Sequence, residues 1–202
     1  MHNNEISVKL LTLWGKIQCI LTIGLWVLVM FGFDEPYIAG LTVAAALAHE
    51  CGHLAYALFK MKTEISARGR LSGPRIKALC CRSYRDELGL LFSGPLMNLV
   101  LFVLTLPFFR FSGYLQSFGV LNLATAFSNL LPMVGHDGYG IALTLLRAYG
   151  APRSAFTALK CVSVGLGFFG CVLALFLMER ASEGYWLFAI FYFSLISELL
   201  GN

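Results

Sequence analysis

The chain has very little charge for its length. Only 13% of its 202 residues are Asp, Glu, Lys or Arg, whereas 58% are hydrophobic and the mean hydropathy is +0.74. Soluble domains carry about 25% charged residues. Because the apolar residues also fall in long blocks rather than at amphipathic spacing, the sequence predicts a single membrane domain over residues 1–202 instead of a soluble core.

Several signals of other protein classes are missing. The six cysteines show no C-x-x-C spacing, which argues for free thiols and against a disulfide framework. The 15 Lys and Arg are not interleaved with exposed aromatic residues, so no nucleic acid is expected as a partner. No small-residue cleavage site follows the first apolar run, which is therefore interpreted as a retained anchor helix. Repeated halves, which many transporters show, are not visible.

Long apolar blocks are what the sequence does contain. It predicts an all-α membrane protein with about six transmembrane helices, at Ile17–Phe33, Tyr37–Phe59, Leu88–Phe109, Val120–Val134, Ala158–Met178 and Tyr185–Leu200. The fourth block is short and contains Pro132, so we interpret it as a broken or partial helix. The polar stretch at 60–87 has the turn residues and β-branched pieces of a small β-hairpin over Thr63–Cys81. A basic loop lying on anionic lipid is the alternative.

The basic residues indicate how the spans are oriented. With the N-terminus inside, thirteen of the 15 Lys and Arg fall in segments on the inner side. Such a bias is typical of the cytoplasmic side of a membrane protein. The sequence therefore predicts a multi-pass protein of the cell membrane with both termini in the cytoplasm and in contact with the lipid bilayer.

The second span contains His49-Glu50-Cys51-Gly52-His53, which matches H-E-x-x-H. On a helix, residues four apart lie on the same face, so His49 and His53 can bind one metal ion while Glu50 reaches a water beside it. Cys51 should point away from the histidines. Ionisable groups inside a span are costly and are usually functional, which favours a metal site over the alternative of two hydrogen-bonded core histidines.

A tetrahedral catalytic zinc needs a third protein ligand and an open position for water. Asp137, His136 and Glu198 are the candidates that the sequence offers. The second and fourth spans both run from outside to inside, so His53 and Asp137 should reach the same inner half of the bilayer. This coincidence favours Asp137, although an Asp-Gly turn at the surface is the alternative. We therefore expect one Zn²⁺ per chain, bound toward the cytoplasmic side, with Glu50 as the catalytic acid and base.

Three motifs together resemble the site-2 protease family of intramembrane zinc metalloproteases. H-E-x-x-H at 49–53 is followed by Gly94-Pro95-Leu96-Met97-Asn98 and then by N-x-x-P-x-x-x-x-D-G at 129–138, in the family's order. The compact layout is similar to bacterial members that process a sigma-factor precursor during sporulation. The resemblance implies a catalytic core of three helices within about 37–148. From the sequence itself we expect no PDZ insertion and no CBS domain, although sporulation-type members often carry a CBS domain.

The resemblance also implies a reaction and further roles. The expected reaction is hydrolysis of a peptide bond within or next to a transmembrane segment of a membrane-tethered protein, such as a sigma-factor precursor or an anti-sigma factor. A regulatory membrane protein is a possible partner. Asn129 is expected to bind the substrate backbone or steady the oxyanion, or else to cap the helix break. Asn98 is a weaker candidate for this role, and helix packing is its alternative. A metal or ion transporter and an inactive scaffold of the same fold are the alternative functions.

Overall fold

The computed structural model describes residues 35–61, 65–70, 73–78 and 83–181, with isolated positions before 35 and between 188 and 196. The α-helices within these ranges are α1 (Pro36–Ala55), α2 (Tyr84–Thr105), α3 (Gly113–Leu130), α4 (Asp137–Ala148) and α5 (Arg153–Ala181). A π-helical turn, Tyr56–Met61, continues α1, and a 3-10 turn, Leu106–Phe108, continues α2. Helices α1, α2 and α3 pack against one another, and α4 lies against α2.

Two β-strands lie between α1 and α2. Strand β1 (Ile65–Arg70) pairs in antiparallel fashion with β2 (Gly73–Ala78), and Arg68 stands opposite Arg75 in the register. These strands fall inside the stretch Thr63–Cys81, where the sequence predicts a hairpin. Within the part of the chain that the structure describes, no third strand pairs with this sheet, so each strand has one outer edge.

Local sequence accounts for where the helices begin. Pro36 occupies the first turn of α1, where its missing N–H costs nothing. Ser83 caps α2 by accepting a hydrogen bond from the Arg85 amide at 3.2 Å. Ser112 caps α3 in the same way, accepting from the Leu115 amide at 3.4 Å. Acidic residues in the first turn of α2 add to the stabilisation of its N-terminus.

Three of the six predicted spans are confirmed as helices long and apolar enough to cross a membrane. They are Pro36–Lys60, Tyr84–Phe108 and Arg153–Glu179. The first and sixth predicted spans, 17–33 and 185–200, lie largely outside the described residues. The fourth was predicted to start at Val120, and this was wrong, because the Ser112 cap starts α3 at Gly113. The predicted break is present, since α3 ends at Leu130 and α4 begins only at Asp137.

The helices place apolar side chains outside and several polar ones inside. Large hydrophobic residues such as Leu104, Phe111 and Phe168 are exposed. The side chains of Asn98 and Asn122 are fully buried, and His49 and His53 are almost so. A soluble protein of this size would expose few such apolar patches. The arrangement is that of an all-α membrane protein whose outer surface faces lipid, with a small hairpin added.

Residues 131–136 connect α3 to α4 and are held in place by neighbouring segments. The main chain turns at Gly135, whose φ of 99° favours glycine. The Val134 amide donates to Ser163 Oγ on α5 at 2.9 Å, and the Val134 carbonyl accepts from Ser194 Oγ. Met133 beside it is fully buried. The connection is thus fixed immediately before the residue that begins α4, Asp137.

Candidate metal centre

Three side chains from α1 and α4 converge on one point. His49 Nε2 lies 3.0 Å from Asp137 Oδ2, and His53 Nε2 lies 3.1 Å from the same oxygen. The two Nε2 atoms are 3.1 Å apart. Because they are four residues apart, the two histidines project from the same face of α1, and both meet Asp137 of α4 there. Among the described residues, this His-His-Asp group is the cluster whose ligand atoms could hold a metal ion.

The other ring nitrogen of His53 fixes how its imidazole is used. His53 Nδ1 lies 2.7 Å from the Leu90 main-chain carbonyl oxygen on α2. A carbonyl oxygen can only accept, so Nδ1 must carry the proton. In the neutral imidazole the proton is then absent from Nε2. The His53 lone pair consequently points at His49 and Asp137. Ser93 lies beside this contact, with its hydroxyl donating to the same carbonyl at 2.6 Å.

The same reasoning applies to His49. Its Nδ1 lies 2.8 Å from Asn98 Oδ1 on α2. The Asn98 amide nitrogen donates to the Ala45 carbonyl at 2.9 Å, so Oδ1 is the acceptor side of that amide. His49 Nδ1 therefore carries the proton, and its Nε2 presents a lone pair to the centre of the cluster.

The donor set fits a metal ion. Two imidazole lone pairs and one carboxylate oxygen would repel one another at about 3 Å, but a divalent cation between them turns this repulsion into three bonds. In a tetrahedral zinc site with bonds of about 2.0–2.1 Å, ligand atoms lie about 3.3 Å apart. Small outward shifts of the side chains therefore suffice, and three protein ligands leave a fourth position open.

Asp137 reaches the site from the start of α4. It is the first residue of that helix, and its side chain is only 13% exposed. Its Oδ2 atom faces the Nε2 atoms of His49 and His53 at 3.0 and 3.1 Å. The start of α4 thus places a carboxylate oxygen beside two imidazole nitrogens, which are the ligand types that a metal ion such as zinc binds.

Two glycines let α2 approach the histidines. A Cβ on Gly94 would lie 2.5 Å from His53 Nε2 and 2.8 Å from His49 Cε1. A Cβ on Gly52 of α1 would lie 2.5 Å from the Ser93 carbonyl oxygen. Helices α1 and α2 are therefore in direct backbone contact at the site. This packing accounts for Gly94 in the motif that contains Asn98.

The residues between the two histidines point in different directions. Glu50 follows His49 and is half-buried, with its Oε2 atom enclosed by protein. Cys51 is exposed, as predicted for a residue on the opposite face of α1. Glu50 is therefore a half-buried carboxylate next to His49, whereas the Cys51 thiol faces outward.

The remaining predicted site residues lie around the cluster in different ways. His136 is buried but is not one of the three converging ligands among the described residues, whereas Asp137 is. Glu198 lies outside the described residues. Asn129 is half-buried at the end of α3, and its amide nitrogen donates to the Thr125 carbonyl at 3.0 Å. Asn98 contacts His49, a role that its spacing in the sequence did not indicate.

Comparisons with known proteins give a fold. No protein-family model and no curated protein match the chain. Among solved structures, the chain is similar to the site-2 protease from Methanocaldococcus jannaschii, with a TM-score of 0.62 and 18% sequence identity. The similarity covers 91% of this chain and 87% of that chain. The two proteins therefore share a fold over almost their whole lengths.

Proposed function

We propose that this protein is an intramembrane zinc metalloprotease of the site-2 protease type. The observation that carries the proposal is the convergence of His49 Nε2, His53 Nε2 and Asp137 Oδ2 within 3.1 Å of one another. The two histidines and Glu50 lie in the apolar helix Pro36–Lys60, which is long enough to cross a membrane. The shared fold supports it. Fold alone does not determine function, whereas the chemistry of the site residues points to a metalloprotease.

His49, His53 and Asp137 would hold one Zn²⁺ per chain. Zinc supplies Lewis acidity there, which activates water near neutral pH and polarises a carbonyl group. Glu50 accepts a proton from the attacking water on a carboxylate oxygen and delivers it to the leaving amine. Its position next to His49 on α1 supports this role. Asn129, half-buried at the end of α3, would hold the substrate backbone or the developing oxyanion.

The substrate would be a membrane-tethered protein cut within or next to its transmembrane segment. Helical peptide bonds are protected by their own hydrogen bonds, so the segment must unwind before cleavage. The hairpin of β1 and β2 follows closely on α1, and among the described residues no third strand pairs with either of its outer edges. Such an edge can pair with an extended segment. A sigma-factor precursor or an anti-sigma factor would be a suitable substrate.

The proposal extends to the whole chain. It forms one polytopic domain with its catalytic core at about 37–148, in a bacterial cell membrane. Both termini and the active site face the cytoplasm, because thirteen of the 15 Lys and Arg then lie on the inner side.

The first test is the zinc content of detergent-purified protein for the wild type, Glu50→Gln and Asp137→Ala. We expect one zinc per chain in the wild type and in Glu50→Gln, and loss of zinc in Asp137→Ala. Unchanged zinc in Asp137→Ala would move the third ligand elsewhere, to His136 first. Folded wild-type protein without zinc would contradict the proposal.

A second test separates a protease from other membrane proteins that bind metal. Each variant is co-expressed with a panel of tagged single-span proteins, and cleavage is followed by the size of the tagged fragment. Glu50→Gln should retain zinc and abolish cleavage, since only the proton transfer is lost. A wild type that binds zinc but cleaves nothing, while transporting metal into vesicles, would favour a transporter.

A further inference from the structure

We propose that Asn122 on α3 is a positioning residue for the metal site, acting on His49 through Asn98. The inference rests on the proposed metal-binding function and adds a residue that belongs to none of the sequence motifs. It also lets α3, which contributes no residue to the cluster of three, influence the metal site through Asn98 and His49.

The contacts form a continuous chain across three helices. The Asn122 amide nitrogen donates to the Phe118 carbonyl at 2.8 Å. Asn122 Oδ1 accepts from the Asn98 amide nitrogen at 2.8 Å, and Asn98 Oδ1 accepts from His49 Nδ1 at 2.8 Å. Both asparagine side chains are 0% exposed. Each step has the distance of a well-formed hydrogen bond.

The direction of the chain is fixed at its ends. The carbonyls of Phe118 and Ala45 can only accept, so each must face an amide nitrogen. Turning the Asn98 amide around would set its oxygen against Ala45 O and Asn122 Oδ1. Both asparagines therefore have one permitted orientation, and that orientation presents an acceptor to His49. The proton is held on Nδ1, and Nε2 is left as the ligand atom.

The two histidines differ in this respect. His53 is oriented by a main-chain carbonyl, that of Leu90, which no substitution removes. His49 is oriented by a side chain, and that side chain is itself held by a second one. Buried hydrogen bonds of this kind contribute more than exposed ones, because no water replaces a lost partner. Replacing Asn122 removes one of the two acceptors that hold the Asn98 amide nitrogen.

The test measures zinc affinity rather than protease activity. Purified wild type, Asn122→Leu and Asn122→Ala are titrated against a chromophoric zinc chelator in detergent. Partners behind a metal-bound histidine typically contribute about 10–100-fold to affinity. We expect both Asn122 variants to bind zinc about 10-fold or more weakly than the wild type. Thr125→Val is the matched control, since Thr125 Oγ1 donates only to the Leu121 carbonyl in the same helix; its affinity should stay within about two-fold.

A double-mutant cycle distinguishes positioning from general destabilisation. Asn98→Leu already disconnects His49, so adding Asn122→Leu should weaken zinc binding no further. If Asn122 only supports the packing of α3, the two losses should add instead. The His49 Nδ1 proton gives an independent readout in ¹⁵N-histidine-labelled, zinc-bound protein. Its hydrogen-bonded resonance should shift in both Asn122 variants and not in Thr125→Val.

The outcomes separate this inference from the proposed function. Wild-type protein that binds zinc, together with Asn122 variants of equal affinity, would overturn the positioning role and leave the metal site intact. Additive losses in the cycle would overturn it as well. Folded wild-type protein that binds no zinc would overturn both proposals. If Asn122→Leu does not fold, Asn122→Ala and the cycle built on it decide the question.

Discussion

Replacing Gly94 by alanine should disrupt the metal site from the side of α2. The new Cβ would lie 2.5 Å from His53 Nε2, 2.7 Å from His53 Cε1 and 2.8 Å from His49 Cε1. Non-bonded contacts of this type are favourable at about 3.5 Å, so a relative movement of about 1 Å is required. The two helix backbones already lie close together at Gly52, where a Cβ would be 2.5 Å from Ser93 O. The added methyl group can therefore be accommodated only if α1 and α2 move relative to each other.

The movement has a specific consequence because both histidines are held by α2. Their Nδ1 atoms bond to Leu90 O at 2.7 Å and to Asn98 Oδ1 at 2.8 Å. A displacement of about 1 Å lengthens both contacts beyond hydrogen-bonding distance. Two orienting bonds are lost together, so we expect zinc affinity to fall by about 100-fold or more. Overpacking should also lower the free energy of unfolding by about 1–3 kcal/mol.

Zinc affinity is measured by chelator competition and stability by the thermal midpoint in detergent. Gly40→Ala is the control on α1, because a Cβ at Gly40 meets no described residue within 4 Å. It should bind zinc as the wild type does and be equally or slightly more stable. A Gly94→Ala protein with the zinc affinity of Gly40→Ala would refute the proposed fit between α2 and the histidines.

Two further predictions concern the connection that carries Asp137. Ser163→Ala should lower the free energy of unfolding by about 1–3 kcal/mol, because the buried Val134 amide loses its acceptor; chemical or thermal unfolding in detergent measures this. Gly138→Ala should weaken zinc binding and lower the thermal midpoint, since its Cβ would collide with the Leu130 carbonyl oxygen and push Asp137 out of place. Zinc affinity by chelator competition and the thermal midpoint in detergent are measured for both variants.

Matched variants on α5 control for these substitutions. Thr157→Ala removes an exposed hydroxyl that contacts only its own helix, and it should leave stability unchanged within about 0.5 kcal/mol. Gly165→Ala adds a methyl group at a position where no atom of the residues that the structure describes lies within 4 Å. Losses in these controls as large as those in Ser163→Ala and Gly138→Ala would contradict the specific role of the connection.

The sequence predicted that His49, His53 and Asp137 would come together, because their geometry is local or set by topology. His49 and His53 share a face of one helix, whatever surrounds it. Asp137 followed from the direction of two spans, and its side chain does meet both histidines. Glu50 was assigned its catalytic role from its place between the two histidines, and that role stays a prediction. These inferences needed helix periodicity and chain direction, and both can be read from the residues alone.

The supporting contacts could not be predicted in the same way. The bond from Asn122 to Asn98 joins positions on different helices, and it depends on how α2 and α3 are rotated about their axes. The acceptor for His53 is a main-chain carbonyl, that of Leu90, which carries no side-chain signal at all. The start of α3 at Gly113 was missed because the spans were located by their apolar residues, whereas the Ser112 cap that begins this helix is polar.

The candidate metal site joins parts of the chain that are distant in sequence. His53 and Asp137 enclose the hairpin, α2 and α3 between them, so an ion bound to both closes this whole stretch into a loop. Covalent closure of a loop of about 100 residues can stabilise a protein by about 4–5 kcal/mol through the entropy of its unfolded state. In the proposed enzyme, zinc would act as a reversible cross-link between α1 and α4. A chelator would then remove the zinc needed for catalysis and, at the same time, the cross-link between α1 and α4.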